Sequence, residues 1–176
     1  LMDDVTCNEQ DGHFETCDIT SWRAVDALAR IESDEALTFL AEKLHHRNPT
    51  VRRVIHEALV RLEDKAVPFI LPHLASKDVD QQIMAANVLG FIGHRLACDP
   101  LIEALDTGQL THPNAQFAAL EALGRIPGMK SLVSLMERLE REDDPMLLLA
   151  VAMGLDALAN PAASVKIVEA LRRGVR

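Results

Sequence analysis

The chain has 176 residues, a net charge of −9 and 48% hydrophobic residues, of which few are aromatic and none is tyrosine. This length can bury a core without staples, so one domain is expected. A core made of Ala, Leu, Val and Ile favours helices over sheets. The negative charge argues against a nucleic-acid partner, because affinity for phosphates requires Lys and Arg.

No apolar run approaches the roughly 20 residues that cross a bilayer, so a membrane partner is not expected either. The first 17 residues are acidic and have no apolar signal core. We therefore expect a cytoplasmic protein with an acidic tail or degenerate cap at 1–17 and a repeat domain at 18–176. The chain opens on Leu1 rather than on methionine, so a segment of a longer protein is one alternative.

The three cysteines are Cys7, Cys17 and Cys98. An odd, sparse set without a CxxC pair is typical of reduced intracellular thiols. A disulfide between Cys7 and Cys17 stays open as an alternative. Cys98 is expected to pack as a small apolar residue.

From Asp18 onward, apolar residues recur at the helical spacing i, i+3, i+4, i+7. The predicted helices alternate between two types, which we call B-type and A-type in the order in which they occur. The B-type segments are 21–32, 52–63, 83–93, 117–128 and 149–160, and the A-type segments are 36–44, 67–74, 99–105, 132–139 and 165–171. Because the connections are short, neighbouring helices must pack antiparallel.

Both types repeat with the same step. The B-type anchors are Leu28, Leu59, Leu89, Leu123 and Leu155, and the A-type anchors are Leu44, Leu74, Leu105, Leu139 and Leu171. Subtracting successive numbers gives 31, 30, 34 and 32 for the first set and 30, 31, 34 and 32 for the second. A two-helix hairpin cannot bury its own apolar face and must stack on its neighbours. The pattern predicts an all-α fold, an α-solenoid of about four and a half antiparallel helical hairpins.

Capping residues and prolines support the predicted helix ends. A side chain that caps a helix precedes a proline at Asn48-Pro49, Asp99-Pro100, Asp144-Pro145 and Asn160-Pro161. Proline suits the first helical position because its missing N–H would have no partner there. Gly93 and Gly128 are expected to close helices in the left-handed conformation, and Pro72 is expected to bend its helix.

The segment VRRVIHEALVRL, which follows FLAEKLHHRNPT, resembles a HEAT-like repeat of the short variety found in bilin-lyase-type proteins. VPFILPHL, with its internal proline, resembles the same family. The resemblance covers about 18–176. It implies a solenoid that serves as a scaffold, an adaptor, a lyase subunit or, in a few cases, an enzyme, so it is informative for fold rather than function.

The resemblance also implies that the B-type helices line the concave surface, which we call the open face. On a helical wheel of the second hairpin, four positions point away from the core: Arg53, His56, Glu57 and Val60. We call the sets of equivalent positions in the five B-type helices columns one to four. The columns are Trp22/Arg53/Ile83/Phe117/Leu149, Val25/His56/Ala86/Leu120/Ala152, Asp26/Glu57/Asn87/Glu121/Met153 and Ala29/Val60/Gly90/Gly124/Asp156.

The later B-type helices place apolar residues on this face, and an exposed apolar patch usually marks an interface. We therefore predict a non-enzymatic binding or scaffold module for a protein segment, which is expected to be helical or basic. The predicted partner-binding residues are Trp22, Arg53, His56, Glu57, Ile83, Asn87, Phe117, Leu120, Glu121, Leu149 and Met153. No catalytic residue, metal ligand or cofactor is predicted.

Two enzymatic alternatives remain. One is a bilin lyase subunit or a related tetrapyrrole-handling protein, which the resemblance implies. The other is a solenoid DNA glycosylase, which Trp22, Arg52, Arg53 and Arg61 favour and the net charge opposes. A di-iron site like that of HEAT-like deoxyhypusine hydroxylases is not expected, because His56-Glu57 is the one His-Glu pair among the five B-type segments.

Overall fold

The structure is a computed structural model, which describes the backbone of residues 14–158 together with Val168 and Arg172, and side chains from Trp22 onward. Every regular element among these residues is helical, as the sequence predicts. The α-helices are α1 (Phe14–Ile31), α2 (Asp34–Glu42), α3 (Pro49–Arg61), α4 (Val67–Ile70), α5 (Val79–Ile92), α6 (Cys98–Asp106), α7 (Pro113–Arg125), α8 (Met129–Arg141) and α9 (Pro145–Ala157). Short 3₁₀ helices occupy Lys43–His45, Glu63–Lys65, Leu71–Ala75 and Arg95–Ala97.

The chain divides into two compact units between Ile70 and Leu71. Unit 1 contains α1 to α4, and unit 2 contains α5 to α9. Of the predicted tail or degenerate cap at 1–17, residues 1–13 lie outside the described residues, and residues 14–17 belong to α1. The predicted cap at Asn160-Pro161 and most of the last A-type helix also lie outside them.

In unit 1 the B-type helix α1 packs against both α2 and α3. Its Leu28 is buried, and so are Leu40 of α2 and Ile55 and Leu59 of α3. These are the positions that the helical period assigns to the core. Each hairpin thus buries its apolar stripe against the next, as expected for stacked repeats.

In unit 2 the B-type helix α7 packs between α5 and α9. Small residues allow the three helices to approach closely. A Cβ added to Gly124 would lie 2.3 Å from the Cα of Gly154, and one added to Gly90 would lie 2.7 Å from the Cα of Ala122. The glycines therefore set the spacing of the B-type helices in this unit.

Two of the three predicted Asx–Pro caps in the described chain are confirmed. Asn48 accepts a hydrogen bond from the Thr50 N–H at 2.9 Å and starts α3. Asp144 accepts from the Met146 N–H at 2.8 Å and starts α9. The prediction for Asp99 is wrong, because α6 already begins at Cys98 and Asp99 lies in its first turn.

One of the two glycine predictions is confirmed, and the helix at Pro72 changes its type. Gly93 closes α5 with φ of 65°, a left-handed conformation that favours glycine. Gly128 instead immediately precedes α8, and α7 already ends at Arg125. Around Pro72 the helix changes from α to 3₁₀ at Leu71, because proline donates no backbone hydrogen bond.

Ion pairs join A-type helices that are one repeat apart. In unit 2, Lys130 of α8 contacts Asp99 of α6 at 2.6 Å, and Arg138 and Arg141 of α8 both contact Asp106. In each pair the carboxylate belongs to the earlier repeat and the cation to the later one. Such surface pairs contribute little energy each, but their direction helps to specify the order of stacking.

Candidate functional site

A cleft of about 380 Å³ opens on unit 1, between the B-type helices α1 and α3. Its volume falls within the range of roughly 300–1,000 Å³ that is usual for small-molecule sites. The lining residues are Trp22, Asp26, Val54, His56, Glu57, Val60 and Arg61. Five of these seven, all except Val54 and Arg61, belong to the columns that the sequence assigned to the open face on α1 and α3.

A network of ion pairs forms one side of the cleft. The Asp26 carboxylate contacts Arg30 of its own helix at 2.9 Å and Arg61 of α3 at 3.2 Å. The Asp26 side chain is 16% exposed, whereas that of Arg61 is 61% exposed. Asp26 is therefore held at the wall, and Arg61 offers the rest of its guanidinium to solvent or to a ligand.

His56 and Glu57 lie side by side along α3. The His56 imidazole is half-buried and borders the cleft. Burial lowers its pKa below the ordinary value, and the neighbouring Glu57 carboxylate only partly opposes this shift. Glu57 is itself paired with Arg53 at 3.0 Å, one helical turn away. At neutral pH the imidazole is accordingly neutral.

Trp22 and two valines supply the apolar part of the cleft. The Trp22 side chain is 50% exposed, although tryptophan is normally among the more buried residues. Among the lining residues, Val54 is buried and Val60 is partly exposed. An indole beside a carboxylate, an imidazole and a guanidinium can stack on a flat conjugated molecule while the polar groups bind its edges.

The open face of unit 2 is apolar where unit 1 is charged. Leu149 and Met153 of α9 are 48% and 46% exposed, while Ile83 of α5 and Phe117 of α7 are partly exposed. Asn87 and Glu121 are also partly exposed. Because α7 packs closely against α5 and α9, these equivalent positions lie at similar levels on neighbouring helices.

The prediction that Leu120 faces the groove is wrong. Its side chain is 1% exposed, and its carbonyl oxygen would lie 3.2 Å from a Cβ at Gly154 of α9. Column two lies at the edge of the helical arc, where adjacent B-type helices meet. The same packing buries three other column-two residues: Val25, Ala86 and Ala152.

Sequence reasoning missed a further column, one helical turn beyond column three. It consists of Arg30, Arg61, Phe91, Arg125 and Ala157, and all five side chains are exposed. In unit 2 the Arg125 guanidinium lies 4.5 Å from the centre of the Phe91 ring. The sequence does contain a signal for this column, namely a carboxylate and an arginine at the i, i+4 spacing in Asp26-Arg30 and Glu121-Arg125.

Cys98 is buried, as predicted, and its Sγ lies 3.3 Å from the Ser131 Oγ. The side chains of Cys7 and Cys17 are outside the described residues. Among the side chains that the structure describes, no group of three or more His, Cys, Asp or Glu is placed to hold a metal ion. None of the described helices is both long and apolar enough to cross a membrane.

The repeats identify the family. The chain matches the HEAT repeats family over residues 41–111 and 67–156, which together span well over half of it. The chain belongs to the HEAT repeat family.

Two curated proteins are similar to the chain over most of its length. Phycocyanobilin lyase subunit beta of Thermosynechococcus vestitus is 29% identical over 161 residues, which cover 85% of this chain and 75% of that protein. Bilin biosynthesis protein PecF of a Nostoc species is 27% identical over 150 residues, which cover 79% of this chain and 87% of that protein.

These relatives overturn the prediction that the chain is not an enzyme. One is named as a subunit of a lyase, and the other is named for bilin biosynthesis. The prediction relied on the absence of a familiar catalytic motif. Such an absence excludes little in a fold whose sites are assembled from single side chains on successive helices.

Proposed function

We propose that the chain is a subunit of a bilin-lyase-type enzyme and that its unit 1 cleft binds an open-chain tetrapyrrole. The cleft between α1 and α3 is the structural observation that carries the proposal. A bilin has a flat conjugated system, pyrrole N–H groups and propionate side chains. The cleft offers a matching group for each of them.

The indole of Trp22 supplies a surface on which a pyrrole ring can stack. The Asp26 carboxylate, held by Arg30 and Arg61, accepts hydrogen bonds from pyrrole N–H groups. The exposed side of the Arg61 guanidinium pairs with a propionate. The similarity to two bilin-handling proteins supports this choice of ligand.

Trp22 also provides the assay, because it is the single tryptophan of the chain. Adding phycocyanobilin should quench the tryptophan fluorescence and shift the visible absorption of the pigment, with both signals saturating together. Free N-acetyltryptophanamide at equal absorbance corrects for light absorbed by the pigment. If phycocyanobilin leaves both spectra unchanged at micromolar concentration, the proposal is wrong.

Arg61→Leu tests the contact with the propionate. A charge-assisted hydrogen bond contributes about 1.5–3 kcal/mol, and the lower figure applies at an exposed site. We therefore expect about tenfold weaker binding. Arg141→Leu is the matched control, because the Arg141 side chain is also 61% exposed and paired with an aspartate. Equal losses in the two variants would indicate a general effect of charge rather than a site.

A second proposal concerns the apolar open face of unit 2, which we propose binds a protein partner through Phe117, Leu149 and Met153. Full burial of such side chains contributes about 1.5–3 kcal/mol each. Their sum is comparable to the low end of the ~4–15 kcal/mol cost of association, so polar contacts such as those of Glu121 must complete the interface.

A photo-crosslinking amino acid at Leu149 tests this proposal. We expect a crosslink to a partner that Phe117→Asp abolishes while far-UV circular dichroism stays unchanged. The same group at Val133 on α8 is the control, because Val133 is 46% exposed and belongs to an A-type helix. Equal crosslinking at Leu149 and Val133, or no effect of Phe117→Asp, would contradict the proposal.

A further inference from the structure

His56 is an exception to the packing of the B-type helices. It belongs to column two, where the equivalent residues of the other four helices are apolar and buried. These residues are Val25, Ala86, Leu120 and Ala152. At this one position the fold accommodates an imidazole at the edge of the core, and it is here that the cleft opens.

The charged groups around His56 in unit 1 are largely paired with one another. On α1, Asp26 is bound by Arg30 and by Arg61 of α3. On α3, Glu57 is bound by Arg53. Among the described residues that line the cleft, the imidazole is the one group whose ordinary pKa lies near neutral pH.

From this placement we infer that His56 is the proton donor and acceptor for the tetrapyrrole bound in the cleft. The inference rests on the function proposed above. A lyase that works in the direction of addition bonds a nucleophile to one carbon of a double bond and places the proton of that nucleophile on the neighbouring carbon. The imidazole takes the proton from the nucleophile and returns it to carbon, so no oxidant or reductant is needed.

Both the burial of His56 and its neighbours suit this role. Burial keeps the imidazole neutral at pH 7, because it lowers the pKa. A neutral imidazole can accept a proton. Glu57, the adjacent carboxylate, stabilises the imidazolium that forms once the proton has been taken.

The test is a pH titration of the visible absorption of phycocyanobilin bound to the full chain. In the wild-type protein we expect a spectral step in the acidic range, where His56 becomes charged beside the pigment. His56→Gln and His56→Leu should both bind the pigment, as judged by quenching of Trp22, but should lose the step. His56→Leu restores an apolar residue to column two, so it is the variant expected to keep the fold if glutamine does not.

The control is His45→Gln, because His45 is exposed and lies outside the cleft. This variant should keep the spectral step. A step that persists unchanged in a pigment-binding His56 variant would overturn the inference and leave the proposed function standing. Absence of pigment binding in the wild-type protein would overturn the proposed function itself, so the two failures are distinguishable.

Discussion

Because α7 and α9 are in close contact at Gly124, we predict that Gly124→Ala lowers the stability of the fold. A Cβ at this position would lie 2.3 Å from the Gly154 Cα, 2.9 Å from its carbonyl oxygen and 3.0 Å from its carbonyl carbon. All three atoms are backbone, so no side chain can rotate away. The helices must separate, and that separation would disturb the face that carries Phe117 and Leu149.

The size of the effect follows from two opposing contributions. Overpacking costs about 1–3 kcal/mol, and an immovable backbone places this site at the upper end. Alanine gains about 1 kcal/mol over glycine inside a helix. The net loss is therefore about 2 kcal/mol, which corresponds to a decrease in Tm of about 4–8 °C for a chain of this length.

Gly154→Ala provides the matched comparison, because it adds the same methyl group to the other side of the same contact. Its nearest neighbour would be the Leu135 Cδ1 at 3.0 Å, the end of a flexible side chain, and the next would be the Leu120 carbonyl oxygen at 3.2 Å. Its packing cost should be nearly offset by helix propensity. Thermal unfolding followed by far-UV circular dichroism measures both variants. If Gly124→Ala is as stable as wild type, or more stable than Gly154→Ala, the assigned contact is wrong.

Two further predictions concern a helix cap and a titrating group. Asp144→Ala should lose about 1 kcal/mol of stability in urea unfolding, because the Asp144 carboxylate accepts from two N–H groups of α9, whereas Asp143→Ala next to it should change little. The pKa of His56 is lowered in the folded state, so the unfolded chain, with an ordinary value of 6.5, binds the proton first as pH falls. The free energy of unfolding should therefore fall below about pH 6.5. Between pH 7.5 and 5.5, His56→Leu should lose less of this free energy than His45→Gln. Equal losses in the two variants would contradict the prediction.

The fold was predictable because its signals recur. The same leucine position returns every thirty-odd residues in both helix types, and each occurrence supports the others. Local ends were harder to predict. Asp99-Pro100 looks like a cap, but the Arg95–Ala97 turn already starts the helix. His112 starts α7 with its Nδ1 accepting from the Asn114 N–H at 3.1 Å, a role for which histidine is not among the preferred residues.

The site was only partly predictable, for a geometric reason. A helical wheel gives the arc that faces away from one partner, but a B-type helix in a stack has neighbours on three sides. Leu120 is therefore buried, although the helical wheel places its position away from the core. Phe91 and Arg125 are exposed, yet they fall outside the four columns chosen from the second hairpin. Placing these residues requires the distance between adjacent B-type helices, which glycines such as Gly124 set.

The accessible columns differ in chemistry between the two units, although the same repeat builds both. At columns one and three, unit 1 has Trp22, Asp26, Arg53 and Glu57, while unit 2 has Ile83, Asn87, Phe117, Glu121, Leu149 and Met153. Stacking places no demand on these positions, because the contacts that hold the helices together involve column two and the small residues of column four. The residues in columns one and three can therefore differ between the units according to what each unit binds. The two proposed sites, a polar cleft for a pigment and an apolar face for a protein, accordingly fall on different units although the same repeat builds both.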